Sequence, residues 1–253
     1  MKIFLSALEA SPEFDKIDKH IEQYNWNLMS YYYMRSTNRW KQILAKSKEI
    51  LIDSGAHSFQ KGKVVKWNEY TSEYANWIEH NDCDKIIGYF EMDIDPAGYK
   101  YSKVKELRKI LTNKSNKIIP VWHKNRGIED FKDMCKKPIH KDKIIAITGF
   151  KNEDIKDCDY INFVKYAHYY GCKVHCLGMT RRKILDSVPF DYVDSSSWKQ
   201  KAIYGKAGKL KVTKEFSKAK RWEVMKYNYI EGMKMQIEYF IKTQVRKNPA
   251  IKK

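Results

Sequence analysis

The chain has 253 residues and a formal net charge of +18, with 49 Lys+Arg against 31 Asp+Glu. That length suits one large barrel or two small domains. The charge goes beyond what solubility requires and points to a polyanionic partner, the competing explanation being a genome rich in lysine codons. No apolar run approaches the ~18 residues of a membrane span, and the opening MKIFLSALEASPEF turns polar too early for a signal-peptide core. Five cysteines at irregular spacings argue against a disulfide framework. A soluble, intracellular protein is expected.

In chain order, short apolar runs predict strands at Lys2–Ser6, Asn27–Tyr32, Glu49–Asp53, Lys85–Met92, Lys117–Trp122, Lys143–Thr148, Lys173–Leu177 and Phe190–Asp194. Helical spacing fills the gaps: Tyr70, Tyr74, Trp77 and Ile78 share one face, as do Val104, Leu107, Ile110 and Leu111. Alternating strands and helices imply parallel strands joined by right-handed crossovers, and eight such units predict an α/β fold, the (β/α)8 TIM barrel, over residues 1–198. An open doubly wound sheet is the alternative, but the G-x-G-x-x-G turn that would favour it is missing. Cys172, His175 and Cys176 lie together in GCKVHC. Without a second Cys/His pair they read as a strand with small buried thiols rather than a zinc site.

Residues 199–253 form a basic extension with 16 Lys/Arg against 4 Asp/Glu. A helical stripe runs through Phe216, Trp222, Met225, Tyr229, Met233, Ile237, Phe240 and Ile241, so the segment is expected to pack on the barrel. Its basic outer face makes Lys199, Lys201, Lys206, Lys209, Lys211, Lys220 and Arg221 candidate nucleic-acid contacts. Lys206 to Lys214 (KAGKLKVTK) reads as a mobile basic loop.

Polar residues collect at the carboxyl ends of the predicted strands, where a (β/α)8 barrel carries its active site. Asp53-Ser54-Gly55 closes the third strand, Glu91 and Asp93 the fourth, His123 the fifth, Thr148-Gly149 the sixth, Gly178-Met179-Thr180 the seventh, and Asp194 the eighth. One carboxylate can trap a sugar's anomeric carbon as an ester while a second moves a proton on and off the leaving group. A third can accept from the N–H groups of a base edge. Asp53, Asp93 and Asp194 meet these needs.

These residues carry a resemblance. ILIDSGAHSFQ (50–60) resembles the Asp-Ser-Gly-Gly-Phe-Gln segment of the tRNA-guanine transglycosylase (queuine tRNA-ribosyltransferase) superfamily, with Ala56-His57-Ser58 in place of the second glycine. YFEMDID (89–95), PVWH (120–123), AITG (146–149), HCLGMT (175–180) and FDYVDSSSW (190–198) are similar to further family segments in the same order. The resemblance implies Asp194 as nucleophile on C1′ of a guanosine, Asp53 as general acid/base and Asp93 as reader of the base edge. Asp191 rivals Asp194, and Asp95 rivals Asp93. Ser54, Gly55, Phe59, His123, Gly149, Gly178 and Met179 become candidate substrate-binding residues, with Phe59 to stack on the flipped base and the Gly149 N–H to meet its O6.

Departures from the family refine the expectation. After residue 198 the chain has no Cys or His, so the zinc site of the tRNA enzymes is missing and no cofactor is expected. A short, zinc-less, basic chain is most similar to the phage and bacterial DNA-guanine transglycosylases. They imply exchange of guanine in DNA for a free 7-deazaguanine base, in the cytoplasm of a bacterial or phage-infected cell, with a protein partner for unwinding or specificity still open. The competing readings are a tRNA-guanine transglycosylase, a non-catalytic nucleic-acid-binding barrel, and a metal-dependent hydrolase using His57, His123 and the aspartates.

Overall fold

The computed structural model describes residues 1–59, 65–148, 154–208, 210–213, 215 and 220–247, with Lys247 by its backbone alone. Gly149, Lys209, Lys214 and Phe216 therefore lie outside the described residues. The strands are β1 (Lys2–Ser6), β2 (Tyr24–Ser30), β3 (Ser47–Asp53), β4 (Ile86–Phe90), β5 (Ile118–Ile119), β6 (Val121–Trp122), β7 (Ile144–Thr148), β8 (Lys173–Leu177) and β9 (Tyr192–Ser195). All pair in parallel, in the order β5-β4-β3-β2-β1-β9-β8-β7-β6.

The two ends of that order are pieces of one strand interrupted at Pro120. Proline has no N–H to give the ladder, so Ile118–Ile119 pairs with β4 while Val121–Trp122 pairs with β7. The ring thus closes through the fifth strand position, apart from that interruption, and the architecture is a TIM-barrel-like α/β fold. Buried Glu91 braces the seam: its Oε1 accepts the Val121 N–H at 2.8 Å, and Arg108 and Arg126 neutralise it.

Side chains alternate across each strand. Phe4, Leu28, Leu51, Phe90, Ile119, Val121 and Ala146 form the barrel interior, and the outward-facing residues pack under the helices. The outer layer contains α1 (Phe14–Asp18), α2 (Tyr31–Met34), α3 (Arg39–Lys46), α4 (Trp67–Asn81), α5 (Tyr101–Thr112), α6 (Ile128–Lys136), α7 (Tyr160–Tyr169), α8 (Arg182–Ser187), α9 (Ser197–Ile203) and α10 (Arg221–Lys247). In α4, Tyr70, Tyr74 and Ile78 of the expected face are buried, Trp77 is half-buried against the same core, and Trp67, Thr71 and Ala75 are buried beside them.

The crossover from β1 to β2 holds only the short α1, which leaves that wall of the barrel thinly covered. Helix α10 covers it. Gln236 donates its amide to the carbonyls of Ile3 (2.7 Å) and Trp26 (2.6 Å), and Tyr229 donates to Asn27 at 2.6 Å. The expected second strand overran: Tyr31 and Tyr32 belong to α2, because the chain turns into a helix after Ser30. KAGKLKVTK also differs from the loop expected of it. Lys206–Ala207 and Leu210–Lys211 pair as a short antiparallel hairpin, held to α10 by Asn228, which accepts from the Gly208 N–H and donates to the Lys206 carbonyl, each at 2.7 Å. Among the described residues no helix is long and apolar enough to cross a membrane.

Candidate active site

The carboxyl ends of the strands surround a cleft of about 820 Å³, large enough for a nucleoside-sized ligand. Around its rim stand Glu9 after β1, Ser30 of β2, Asp53 of β3, Asp93 after β4, His123 after β6, Thr148 of β7, Gly178 after β8 and Asp194 of β9.

Asp194 is held by three donors. Its Oδ1 accepts from the Gly178 N–H at 2.9 Å and meets the His175 Nε2 at 3.1 Å, and among the described residues its Oδ2 accepts only the longer Ser6 hydroxyl bond at 3.2 Å. Oδ2 is therefore the oxygen with lone-pair capacity to spare. Gly178, at φ +66°, takes the left-handed turn that aims its N–H at the carboxylate. His175 is fully buried among Phe4, Phe90 and Tyr192 inside the barrel, while Cys172 and Cys176 face the outer core, so GCKVHC splits across the strand and gathers no metal ligands. Asp191 lies at the other end of β9, its carboxylate bonded to His168 at 2.8 Å and to the Val174 N–H at 2.9 Å, away from the cleft.

Asp53 ends β3 opposite Ser30 in the β2–β3 register. Burial pushes its carboxyl up to about 6; the nearby charges of Asp93 and Asp194 add to the rise, and His57 and the Gly55 N–H oppose it. The turn that follows is shaped by Gly55 at φ +80°, where a Cβ would stand 2.4 Å from Tyr32 Cβ. The buried Ser54 gives its carbonyl to the Tyr70 hydroxyl at 2.6 Å, which fastens the turn to α4. Phe59 packs edge-on among Tyr32, Trp67 and Tyr70, and Met179 is buried in the outer core. Ser54, Gly55, Phe59 and Met179 do not line the cleft, whereas Asp53, Asp93, His123, Gly178 and Asp194 do.

Asp93 is the centre of a chain of alternating charge. Its Oδ1 meets His123 Nε2 at 2.6 Å, its Oδ2 meets His57 Nε2 at 3.1 Å, and His123 Nδ1 meets Asp154 Oδ2 at 2.8 Å. Burial disfavours charge on both central groups, yet their pairing outweighs it. His123 is raised to about 10 by hydrogen bonds to Asp154 and Asp93, and Asp93 is held well below the usual carboxylate range by His123 and His57. His123 is thus an imidazolium with both N–H groups committed to carboxylates. The same bond to Asp93 raises His57, and the Ala56-His57-Ser58 turn is the segment that brings His57 there.

Asp95 is clamped by the guanidinium of Arg126. Asp93, Asp95 and His123 offer ligand atoms within 4.8 Å of one another, the one such metal-like cluster among the described residues. A cation there would have to displace the Arg126 pairing and the proton of His123, so the cluster already carries its own countercharges.

Glu9, Asp154 and the role of His175 escaped the sequence reading. Glu9 is 1% exposed; its Oε1 accepts the Ser30 N–H at 2.9 Å and its Oε2 has no partner among the described residues. Burial pushes its carboxyl up to about 7, against the pull of the Ser30 N–H and Lys199. Ala7, at φ +68°, bends the chain out of β1 and turns it toward Glu9, an unusual conformation for a residue with a Cβ. The signal in the sequence was its place three residues past a strand end. Asp154 carried no signal beyond its charge.

Of the basic candidates, Lys199 is half-buried with its ammonium on the Ala10 carbonyl at 3.1 Å, while Lys201, Lys206, Lys211, Lys220 and Arg221 are exposed, Lys220 pairing with Glu223 at 3.3 Å. No protein-family model matches the chain, and no curated protein matches it.

Proposed function

We propose that this protein is a pentosyltransferase that exchanges guanine in a nucleic acid, DNA in preference to tRNA, for a free 7-deazaguanine base through a covalent aspartyl-glycosyl intermediate. One observation carries the proposal: three aspartates from three strand ends share one nucleoside-sized cleft in three different surroundings. The preference for DNA rests on the sequence alone, in which residues 199–253 hold neither Cys nor His.

The target nucleotide is flipped from the stack into the cleft. Asp194 Oδ2 attacks C1′, the C1′–N9 bond breaks as the C1′–O bond forms, and the electron pair leaves with guanine. Asp53, carrying a proton in the range of its raised pKa, protonates the departing base. The entering base then gives its N9 proton to Asp53 and attacks C1′, releasing the Asp194 carboxylate. Gly178 and His175 hold Asp194 in line. Asp93 keeps one lone pair on each oxygen beyond those taken by His57 and His123, enough to accept from the N–H groups of a guanine edge. These steps use side chains alone and call on no cofactor.

The test is release of labelled guanine from duplex DNA, single-stranded DNA and bulk tRNA on addition of a free deazaguanine, with trapping of the covalent adduct on denaturing gels. Release and trapping on DNA, both abolished in Asp194→Asn, are expected. Full exchange by Asp194→Asn would refute the assignment, and binding without release on any substrate would leave a non-catalytic barrel.

A further inference from the structure

The described side chains that line the cleft include the carboxyl groups of Glu9, Asp53, Asp93, Asp95, Asp154 and Asp194, which outnumber the imidazoles of His57 and His123, and no lysine or arginine, in a chain of net charge +18. Such a lining repels phosphate. A polynucleotide can therefore lodge a base and its sugar in the cleft only with its phosphates held at the rim. This step rests on the base-exchange reading; the surface it leads to can be measured without it.

At the end of β2 the rim is α2 and Arg35, from the sequence YYYMR. Tyr31 is buried against Tyr70 and Tyr74 and anchors the turn. Tyr33 lines the cleft and is still 39% exposed, its ring perpendicular to Tyr32 at 5.1 Å. The Arg35 guanidinium lies 4.8 Å from the Tyr70 ring and 5.6 Å from that of Tyr32, with 37% of its side chain exposed and Glu73 at 3.6 Å. Behind it opens a second hollow of about 610 Å³, with Trp40, Trp77, Thr37 and Asn38 in its walls. An open aromatic face at a cleft mouth, followed two residues later by a stacked arginine, is the composition of a single-strand binding track.

We infer that α2 and Arg35 form the track on which a single-stranded polynucleotide leaves the cleft, the base next to the flipped one stacking on Tyr33 and a phosphate meeting Arg35. Base stacking and phosphate pairing are common to DNA and RNA, so the track itself reads neither sugar nor sequence.

The test is fluorescence anisotropy of the full chain with a labelled single-stranded DNA of about 15 nucleotides and an RNA of the same sequence, across about 50 to 200 mM salt. Tyr33→Ala should weaken binding about ten-fold, the effect of one lost base stack, with the salt dependence and the melting temperature unchanged. Tyr33→Phe should bind like the wild type, and Arg35→Gln should flatten the salt dependence by about one phosphate contact. Equal losses for DNA and RNA are expected, and a loss confined to one of the two polymers overturns the sugar-blind track. Wild-type affinity in Tyr33→Ala, or equal weakening in Tyr33→Phe, overturns the track. If Tyr33→Ala weakens binding but the wild type exchanges no guanine, the track stands and the base-exchange reading falls; if guanine is exchanged with no dependence on Tyr33, base exchange stands and the track falls.

Discussion

Replacing Glu9 with glutamine should make the protein more stable relative to the wild type as pH rises, the reverse of what loss of a paired carboxylate does. Glu9 is 1% exposed, and its carboxyl is raised from an ordinary 4.5 to about 7 by burial. The folded state therefore holds the Glu9 proton more tightly than the unfolded chain, and between about 4.5 and 7 it binds more protons than the unfolded state does. Stability from this group is fully present below about 4.5 and is lost as pH rises through about 7. At about 1.4 kcal/mol per pH unit, the wild type loses about 3 kcal/mol across that window. Glutamine keeps an oxygen for the Ser30 N–H and cannot ionise. Lys199, whose charge opposes the rise, keeps its bond to the Ala10 carbonyl, and Asp53 from β3 and Tyr229 from α10 are titratable groups that also interact with Glu9. Urea unfolding of both proteins from about pH 4.5 to 8 gives the difference directly. A stability difference that stays constant over that range would refute the reasoning.

His123→Gln removes the cation between Asp93 and Asp154 and should cost about 3–5 kcal/mol at neutral pH, the usual penalty for breaking a buried charge pair. Because His123 is raised to about 10, its contribution is complete below about 6.5 and disappears as pH rises through about 10. The gap between wild type and variant should close in alkaline unfolding series, and a gap that persists at pH 11 would contradict the pairing. With Asp53 raised to about 6, single-turnover guanine release should decline as pH rises above about 6, and Asp53→Asn should slow it by about 10² or more; a flat profile from pH 5 to 8 would remove Asp53 as the acid. Gly55→Ala places a Cβ 2.4 Å from Tyr32 Cβ at φ +80° and should lower stability by more than about 1 kcal/mol in thermal unfolding; an unchanged melting temperature would show that the turn relaxes freely.

The sequence by itself determined the alternation of strands and helices, because burial on both faces of a parallel barrel strand leaves continuous apolar runs and the helices between them need one apolar stripe. It also marked Asp53, Asp93, His123 and Asp194, since charged residues at the ends of such runs stand out against their surroundings. Pro120 was visible too, but only the ladder shows that the same proline splits the strand through which the ring closes.

Tertiary structure decided the rest. Which of Asp191 and Asp194 faces the cleft is invisible in FDYVDSSSW, because residues three apart on a strand differ in height as well as face; in the fold one lies at the foot of β9 and the other in the cleft. Ser54, Gly55 and Phe59 sit in a motif beside Asp53 yet shape and pack the turn rather than line the cleft, which only the positive φ of Gly55 and the ring contacts of Phe59 reveal. Glu9, His57 and Asp154 lie on three separate loops, and their charge states arise from burial and from partners 21 to 36 residues away. A local pattern carries no record of such distances. Long-range closure of the barrel creates both the cleft and the low-dielectric surroundings that set the protons within it.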